Sequence, residues 1–286
     1  MREPWNEERK WRVSPANFHP DVQASYRFPD KVEILDTTLR DGEQQPGLFI
    51  SLEDRIRLVR QLDAIGIHRI EAGNPSISTH DADAIKAIAD LGLEAKLFVF
   101  SRAMAADAEL AKSCGVDGVL MEIPASEHLL KYGKRWTVDR AIRAAVDGTR
   151  AAHELGLFVS FFPADSSRGD IEYILDMIDR VRTEGHADSV VLVDTFGCYT
   201  PAAAAYTVRR IKERFPDLPV EAHFHEDFDM GVANTIAAFS AGAEVAHTTV
   251  NGVGERAGSV PYEPLVLALK ILYGVDTGVD LSRLVE

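Results

Sequence analysis

The chain has 286 residues, of which 46% are hydrophobic and 27% charged, a balance typical of a globular protein with a large core. Its formal charge of −14 argues against binding to nucleic acids or to anionic membranes. The sequence shows no apolar run long enough to span a membrane, no apolar signal sequence and only two cysteines, Cys114 and Cys198, too few for a disulfide framework. We therefore expect a cytoplasmic protein with no membrane or nucleic-acid partner.

Residues 1–30 are predicted to form an arm. They are polar, contain four prolines and carry interspersed aromatic side chains without a clear period. These aromatic residues could pack on the rest of the chain or on a neighbouring subunit, and disorder at the extreme end is an equally good prediction. A different organisation begins near Val32, so we divide the chain into this arm and a folded domain, residues 31–286.

From Val32 onward, short apolar runs alternate with segments of helical period. Capping residues mark helix starts, as at Ser51 and at Thr200, which is followed by Pro201. Strands that alternate with helices pair in parallel, and eight repeats close a (β/α)₈ TIM barrel. An open doubly wound sheet is the alternative, but no Gly-x-Gly-x-x-Gly turn follows the first strand. The predicted strands are 32–36, 69–73, 95–100, 118–123, 158–162, 189–194, 219–225 and 245–250.

In such a barrel, functional groups collect at the C-terminal ends of the strands. Polar and charged residues stand at nearly all of these ends here, which predicts one crowded polar rim. The residues concerned are 36–41, Glu71, 98–102, Glu122, Asp165, Arg168, Asp194, Thr195, His223, His225 and 251–256.

His223 and His225 end the seventh predicted strand. Residues two apart on a strand point to the same face, so the two imidazoles should project side by side and could bind a divalent metal. The alternative is that they only cap the strand. Asp41 follows the first strand, which only one strand separates from the seventh in a closed barrel. We predict a metal site of Asp41, His223 and His225, for which manganese, magnesium, zinc and cobalt are all acceptable.

An ion at this site could chelate a 2-oxo acid and polarise its carbonyl group. Arg40 would donate hydrogen bonds to the oxygen that gains charge, or else pair with an acid such as Asp36. Glu71 is equally compatible with a catalytic and a structural role. Thr195 could bind a substrate carboxylate, or cap the turn together with Asp194.

The sequence leaves open the role of one basic segment and the identity of the general base. The basic run 131–135, with Lys131, Lys134 and Arg135, could attract anions or simply be a solvated face. The general base is not identified by the sequence, and the candidates are Glu71, Glu122 and His128.

Three motifs carry a resemblance to a known family. The segment 35–44 reads Leu-Asp-Thr-Thr-Leu-Arg-Asp-Gly-Glu-Gln and resembles the signature of the DRE-TIM metallolyase superfamily, which includes isopropylmalate, homocitrate and citramalate synthases and hydroxymethylglutaryl-CoA lyase. His223-x-His225 with Asp227 and Asn234 resembles its second signature, and 251–258 resembles the loop that follows. The resemblance covers about 32–274. It implies a barrel whose metal is held by Asp41, His223 and His225, with Arg40 as the electrophilic partner and Thr195 near the carboxylate of the 2-oxo acid. We predict catalytic roles for Arg40 and Glu71, and substrate binding by Arg40, Gln44, Arg168 and Thr195.

Within that superfamily, the first loop, Asp-Gly-Glu-Gln-Gln-Pro-Gly, and the last, Gly-Glu-Arg-Ala-Gly, are similar to those of the synthases. The lyases usually carry a cysteine in the last loop, where this chain has none. The implied function is an acyltransferase reaction, a metal-dependent Claisen condensation of an acyl-CoA, with acetyl-CoA as the first choice, and a 2-oxo acid. We also expect a homodimer or larger homo-oligomer. The alternatives are a lyase that cleaves a C–C bond of a hydroxy acid or hydroxyacyl-CoA, and a barrel that binds metal and ligand without turnover.

The chain departs from the family pattern at three places. Ser259 stands where many relatives have a metal-contacting asparagine, and Ala164 stands where synthases usually have a glutamate. The Asn-Asp-x-Gly that normally follows the histidines is replaced by 226–229, Glu-Asp-Phe-Asp.

Overall fold

The computed structural model describes residues 4–8 and 10–284. Residues 1–3 and 9 of the predicted arm, and residues 285–286 of the predicted domain, lie outside the described residues. The arm contains a two-stranded antiparallel sheet, Asn6–Glu7 with Trp11–Arg12, followed by two short helices, Pro15–Phe18 and Pro20–Gln23. Its aromatic side chains reach the body of the same chain, because the Tyr26 ring packs edge-on against Tyr273 with 5.0 Å between centroids.

The described residues contain eight parallel strands that close a barrel, with a helix after each strand. The strands are β1 (Glu33–Asp36), β2 (Arg69–Glu71), β3 (Lys96–Arg102), β4 (Gly118–Pro124), β5 (Phe158–Ala164), β6 (Ser189–Asp194), β7 (Val220–Phe224) and β8 (Val245–Thr248). The helices are α1 (Leu52–Ala64), α2 (Thr79–Ala89), α3 (Ala105–Ser113), α4 (Val138–Glu154), α5 (Ile171–Gly185), α6 (Pro201–Arg214), α7 (Gly231–Ser240) and α8 (Tyr262–Ala268). The predicted (β/α)₈ barrel is confirmed.

Pairing of β8 with β1 closes the barrel, with Val245 opposite Glu33 and Thr248 opposite Asp36. Strands buried on both faces read as continuous apolar runs, as in the Val-Val-Leu-Val of β6. The helices pack their apolar faces on the outside of the barrel. Apolar side chains fill much of its interior, namely Leu35, Phe98, Leu120, Phe162, Val191, Val193 and Val245.

The predicted helix starts are confirmed by hydrogen bonds. The Ser51 hydroxyl accepts from the Asp54 N–H at 3.2 Å, and the Thr200 hydroxyl accepts from the Ala203 N–H at 3.3 Å. The strand ends differ slightly from the prediction, since β3 and β5 each run two residues further because ladder pairing continues to the rim. Among the described residues, no helix combines the length and apolar character that crossing a membrane requires.

Candidate metal and substrate site

Asp41, His223 and His225 lie together at the C-terminal end of the barrel. One ligand atom from each lies within 4.8 Å of the others, and all three side chains are buried. The segment after β1 turns because the Thr37 carbonyl accepts from the Asp41 N–H at 2.8 Å, which brings Asp41 over the barrel mouth. His223 lies on β7, and His225 follows that strand and pairs with Ser259. The structure therefore brings the three predicted ligands together.

The hydrogen-bond pattern of this cluster suits a divalent cation. His225 Nδ1 lies 3.1 Å from the Gly258 carbonyl, to which it can only donate, so in the neutral ring the Nε2 carries the lone pair that a metal would use. That Nε2 lies 3.3 Å from His223 Nε2. Burial, and then the nearby His225, His247 and Arg40, hold the pKa of His223 well below its ordinary value, so this imidazole is neutral. Asp41 Oδ2 is buried and receives no hydrogen bond from the described residues. One carboxylate and two imidazoles form a donor set that fits such an ion.

Arg40 lies beside this cluster in a largely buried position. Its Nε donates to Glu71 Oε2 at 2.8 Å, and its Nη1 lies 3.5 Å from Asp41 Oδ1. The alternative partner, Asp36, instead accepts from the backbone and hydroxyl of Thr38. Arg40 Nη2 is buried and has no acceptor in the described part of the chain. One strong donor of Arg40 therefore remains available to a ligand.

Glu71 is fully buried at the end of β2. Burial raises its pKa to about 7, because the effect of desolvation exceeds the opposing effect of the Arg40 cation. Its Oε1 has no hydrogen-bond partner among the described residues. A carboxyl group with one open oxygen and a pKa near neutrality is suited to proton transfer.

The remaining predicted substrate ligands occupy different surroundings. Gln44 is exposed, and its carbonyl oxygen accepts from Arg40 Nη1 at 3.3 Å. The Thr195 hydroxyl accepts from the Asp165 N–H at 2.8 Å and keeps its own proton to donate. Arg168 makes two hydrogen bonds to the Asp165 carboxylate, at 2.6 and 2.7 Å, so its charge is already compensated. Substrate binding by Gln44, Thr195 and Arg168 stays a prediction.

The other two candidates for the general base form no hydrogen bond with Arg40 among the described residues. Glu122 is half-buried at the end of β4, where burial raises its pKa. His128 is exposed and packs against the Tyr132 ring, with 4.9 Å between centroids. Glu71 is the one of the three candidates that bonds Arg40 directly.

The three departures have structural counterparts. The buried Ser259 hydroxyl donates to the Phe224 carbonyl at 3.3 Å and so holds the last loop against β7. Ala164 ends β5 opposite Pro124, and its carbonyl accepts from the Ala125 N–H at 2.9 Å. Asp229, where relatives carry glycine, has a φ of 53°, a left-handed conformation that is strained for a residue other than glycine.

A second buried network below the histidines was missed by the sequence analysis. Glu221 Oε2 lies 2.8 Å from His247 Nε2, and the His247 ring lies 5.4 Å from that of His223. Glu221 Oε1 accepts from three further donors, Ser160 Oγ, Ser189 Oγ and Arg69 Nη1. The strand period offered a signal, because Glu221 stands two residues before His223 and shares its face.

Comparison with known proteins identifies the family of the chain. The HMGL-like family model matches residues 31–286. The chain is 38% identical over 283 residues to the homocitrate synthase AksA of Methanothermobacter thermautotrophicus, covering 97% of this chain and 71% of the relative. It is 40% identical over 255 residues to the (R)-citramalate synthase CimA of Methanocaldococcus jannaschii, covering 89% of this chain and 52% of the relative.

Among solved structures, hydroxymethylglutaryl-CoA lyase from Pseudomonas aeruginosa superposes with a TM-score of 0.80 at 24% identity, covering 90% of each chain. At that identity the likeness shows the fold. The family model and the related synthases confirm the resemblance that the motifs predicted, and the chain belongs to the HMGL-like family of the DRE-TIM metallolyase superfamily.

Proposed function

We propose that the protein catalyses a divalent-metal-dependent Claisen condensation of an acyl-CoA, with acetyl-CoA as the first choice, and a 2-oxo acid. The observation that carries this proposal is the position of Arg40 and Glu71 directly beside the cluster of Asp41, His223 and His225. The names of the related proteins, homocitrate synthase and citramalate synthase, support a condensation.

Asp41, His223 and His225 would hold the metal, which when bound supplies a Lewis acid for the carbonyl group of the 2-oxo acid. Arg40 acts through its open Nη2, which donates a hydrogen bond to the carbonyl oxygen as negative charge develops there. Glu71 holds the guanidinium in place through Nε. The Thr195 hydroxyl donates to the carboxylate of the 2-oxo acid, and Gln44 keeps Arg40 oriented from the solvent side.

The open oxygen of Glu71 is the proposed acceptor for the proton that leaves the acyl methyl group. The methyl carbon then forms the new C–C bond with the carbonyl carbon, and the former carbonyl oxygen takes up a proton. Water cleaves the thioester and releases a carboxylate and the free thiol of CoA. Ala164 cannot transfer a proton, and Asp165 is bonded to Ser126 and Arg168, so this end of β5 offers no open carboxylate to that water.

The experiment is to follow thiol release from acetyl-CoA with a panel of 2-oxo acids, before and after treatment with a chelator. We expect release that needs both an acid and a divalent ion, with a condensed product identified by mass. Formation of pyruvate or glyoxylate from a hydroxy acid, without condensation, would show the lyase alternative instead. Metal binding with neither product would leave a barrel that binds without turnover.

A further inference from the structure

The segment Leu129–Lys134, together with Arg135, forms an exposed basic turn after β4, which we call the basic turn. It carries Lys131, Lys134 and Arg135 in a chain whose net charge is −14. None of these three side chains forms an ion pair with a carboxylate of residues 4–8 or 10–284, whereas the arginines at other strand ends are compensated. Those pairs are Arg40 with Glu71, Arg102 with Asp107, Arg168 with Asp165 and Arg256 with Asp227.

The backbone of the basic turn is held at both ends. Ser126 anchors its start, because its hydroxyl accepts from the Leu129 N–H at 3.1 Å and its carbonyl accepts from the Leu130 N–H at 3.0 Å. The Trp136 N–H closes the turn on the Leu130 carbonyl at 3.0 Å. The segment is a single π-helical turn, a conformation found frequently at functional sites, and Arg135 has a left-handed φ of 55°. These cations, which form no ion pair with the described residues, are therefore displayed from an ordered backbone.

The basic turn is connected to the candidate active site by hydrogen bonds. The Ser126 hydroxyl donates to the buried Asp165 carboxylate, and the Asp165 N–H donates to the Thr195 hydroxyl at 2.8 Å. Lys134 also acts electrostatically on Glu122, at the end of β4 on the barrel rim. The turn thus stands on the same rim as the cluster of Asp41, His223 and His225.

An exposed aromatic ring lies beside one of these cations. The Tyr132 residue is 66% exposed, and Lys131 Nζ lies 5.1 Å from its ring centroid. An exposed aromatic face can stack on a nucleobase, while lysine and arginine bind phosphates by charge-assisted hydrogen bonds. Cations without ion-pair partners in the described part of the chain, beside a largely exposed ring, match a ligand with phosphates close to a base.

We infer that the basic turn binds the adenosine 3′-phosphate 5′-diphosphate end of the acyl-CoA, with its phosphates on Lys131, Lys134 and Arg135 and its adenine against Tyr132. This inference rests on the proposed function, which requires an acyl-CoA. The inference adds the place where the nucleotide end of the acyl-CoA is held. From there, the thioester end extends along the rim towards Arg40. Local attraction at the turn offsets the repulsion that an acidic chain exerts on a polyanion.

The test compares acetyl-CoA with acetyl-pantetheine, which lacks the nucleotide. In the double variant Lys131→Glu/Lys134→Glu, we expect the KM for acetyl-CoA to rise at least about tenfold, the loss of one charge-assisted hydrogen bond or more. The KM for acetyl-pantetheine should change by less than about twofold. The control Lys112→Glu alters an exposed lysine at the end of α3, away from this rim, and should leave both values unchanged. Equal changes in KM for acetyl-CoA and acetyl-pantetheine, or no change in either KM, would overturn the inference.

A direct titration with adenosine 3′,5′-bisphosphate separates this inference from the proposed function. We expect the wild type and Lys112→Glu to bind it, and Lys131→Glu/Lys134→Glu to bind at least about tenfold more weakly. If neither thioester reacts with any 2-oxo acid but this pattern of binding holds, the proposed condensation fails and the nucleotide site stands. Equal binding by all three proteins, or by none, refutes the site whatever the turnover.

Discussion

Two buried arginine–glutamate pairs lie in the barrel, one near each end of the strands. Arg40 bonds Glu71 at 2.8 Å near the C-terminal ends, and Arg69 bonds Glu221 at 3.2 Å near the N-terminal ends. Each guanidinium lies within 6 Å of the centroids of two phenylalanine rings, at 5.5 and 5.8 Å for Arg40 and at 5.6 and 5.3 Å for Arg69. The two pairs therefore share residue types, burial and aromatic surroundings.

They differ in how completely their polar atoms are bonded. Both carboxylate oxygens of Glu221 accept hydrogen bonds. Burial alone would raise the pKa of Glu221, but these bonds, together with the electrostatic attraction of His247 and Arg69, lower it to about 2. Glu71 keeps one oxygen open, and burial raises its pKa to about 7. Open atoms also remain on Arg40 and Asp41 near the C-terminal ends, whereas His247 Nδ1 is the unbonded atom near Glu221. Buried polar atoms are usually bonded. We therefore interpret the open atoms of Glu71, Arg40 and Asp41 as the proposed place for a ligand, and the more completely bonded pair of Arg69 and Glu221 as a structural support.

The largest effect is expected from His223→Ala near the C-terminal ends. This variant removes one of three proposed metal ligands, and turnover should fall by about 10⁴-fold or more, since the ion supplies several kcal/mol of transition-state stabilisation. Steady-state assays with excess Mn²⁺, together with a metal titration, would measure the loss. Residual turnover within about tenfold of the wild type would remove His223 from the metal site.

Glu71→Gln should reduce turnover by about 10³-fold, because glutamine cannot accept the proton from the acyl methyl group. The amide retains a hydrogen-bond acceptor for Arg40, so acid binding should weaken less than turnover does. Measurement of kcat and KM separately would distinguish a chemical role from a positioning role. A variant with full kcat would return the general base to the other candidates.

Glu221→Gln should affect stability rather than turnover. It replaces the buried carboxylate that accepts from Arg69 and His247 with a neutral amide, while Arg69 keeps its pair with Glu33. Loss of the charged acceptor is expected to lower the free energy of unfolding by about 2 kcal/mol. Denaturant unfolding of Glu221→Gln would measure this change in free energy, with Glu71→Gln as the matched variant. Similar unfolding free energies for the two variants would contradict the distinction drawn between the pairs.

The raised pKa of Glu71 also predicts a pH dependence of the metal-free protein. Its pKa rises from an ordinary value of 4.5 to about 7 on folding, so the folded state favours the protonated form. The free energy of unfolding should therefore fall by up to about 3 kcal/mol as the pH rises from 4.5 to 7, and level off above 7. Unfolding in chelator at several pH values would show this slope. Glu71→Gln should reduce it without abolishing it, because burial also raises the pKa of Asp36 to about 7 and that group contributes over the same pH range. An unchanged slope in that variant would assign it to another group.

The smallest effect is expected at Asp229, in the loop after β7. Its left-handed φ of 53° is strained for aspartate and unstrained for glycine. Relief of this strain in Asp229→Gly should raise the free energy of unfolding by about 1 kcal/mol. The larger conformational entropy of glycine in the unfolded chain offsets part of this gain. Thermal unfolding would detect this change. A clear loss of stability would show that the aspartate side chain stabilises the loop more than its backbone strains it.

Much of this arrangement follows from the sequence. The alternation of apolar runs and helical segments predicted eight strands and their closure, and topology then placed Asp41 near His223 and His225. These predictions depend on the periodicity of each segment, which local sequence determines, and on the regular alternation of strands with helices, from which strand order follows.

Side-chain partners could not be predicted in the same way. Whether Arg40 bonds Glu71 or Asp36 depends on rotamers, and the Thr38 hydroxyl competes for Asp36. Arg168 similarly bonds Asp165, because the turn after β5 places the two side chains together. Such choices depend on atoms brought together by distant segments, so a single sequence leaves them open.

The most direct test of the account is crystallography of the chain grown with Mn²⁺, with data collected near the manganese absorption edge. One anomalous peak should lie within bonding distance of a carboxylate oxygen of Asp41 and a ring nitrogen of each of His223 and His225, and it should be absent in His223→Ala. A map without a peak at these three residues, with the ion bound elsewhere or not at all, would contradict the account.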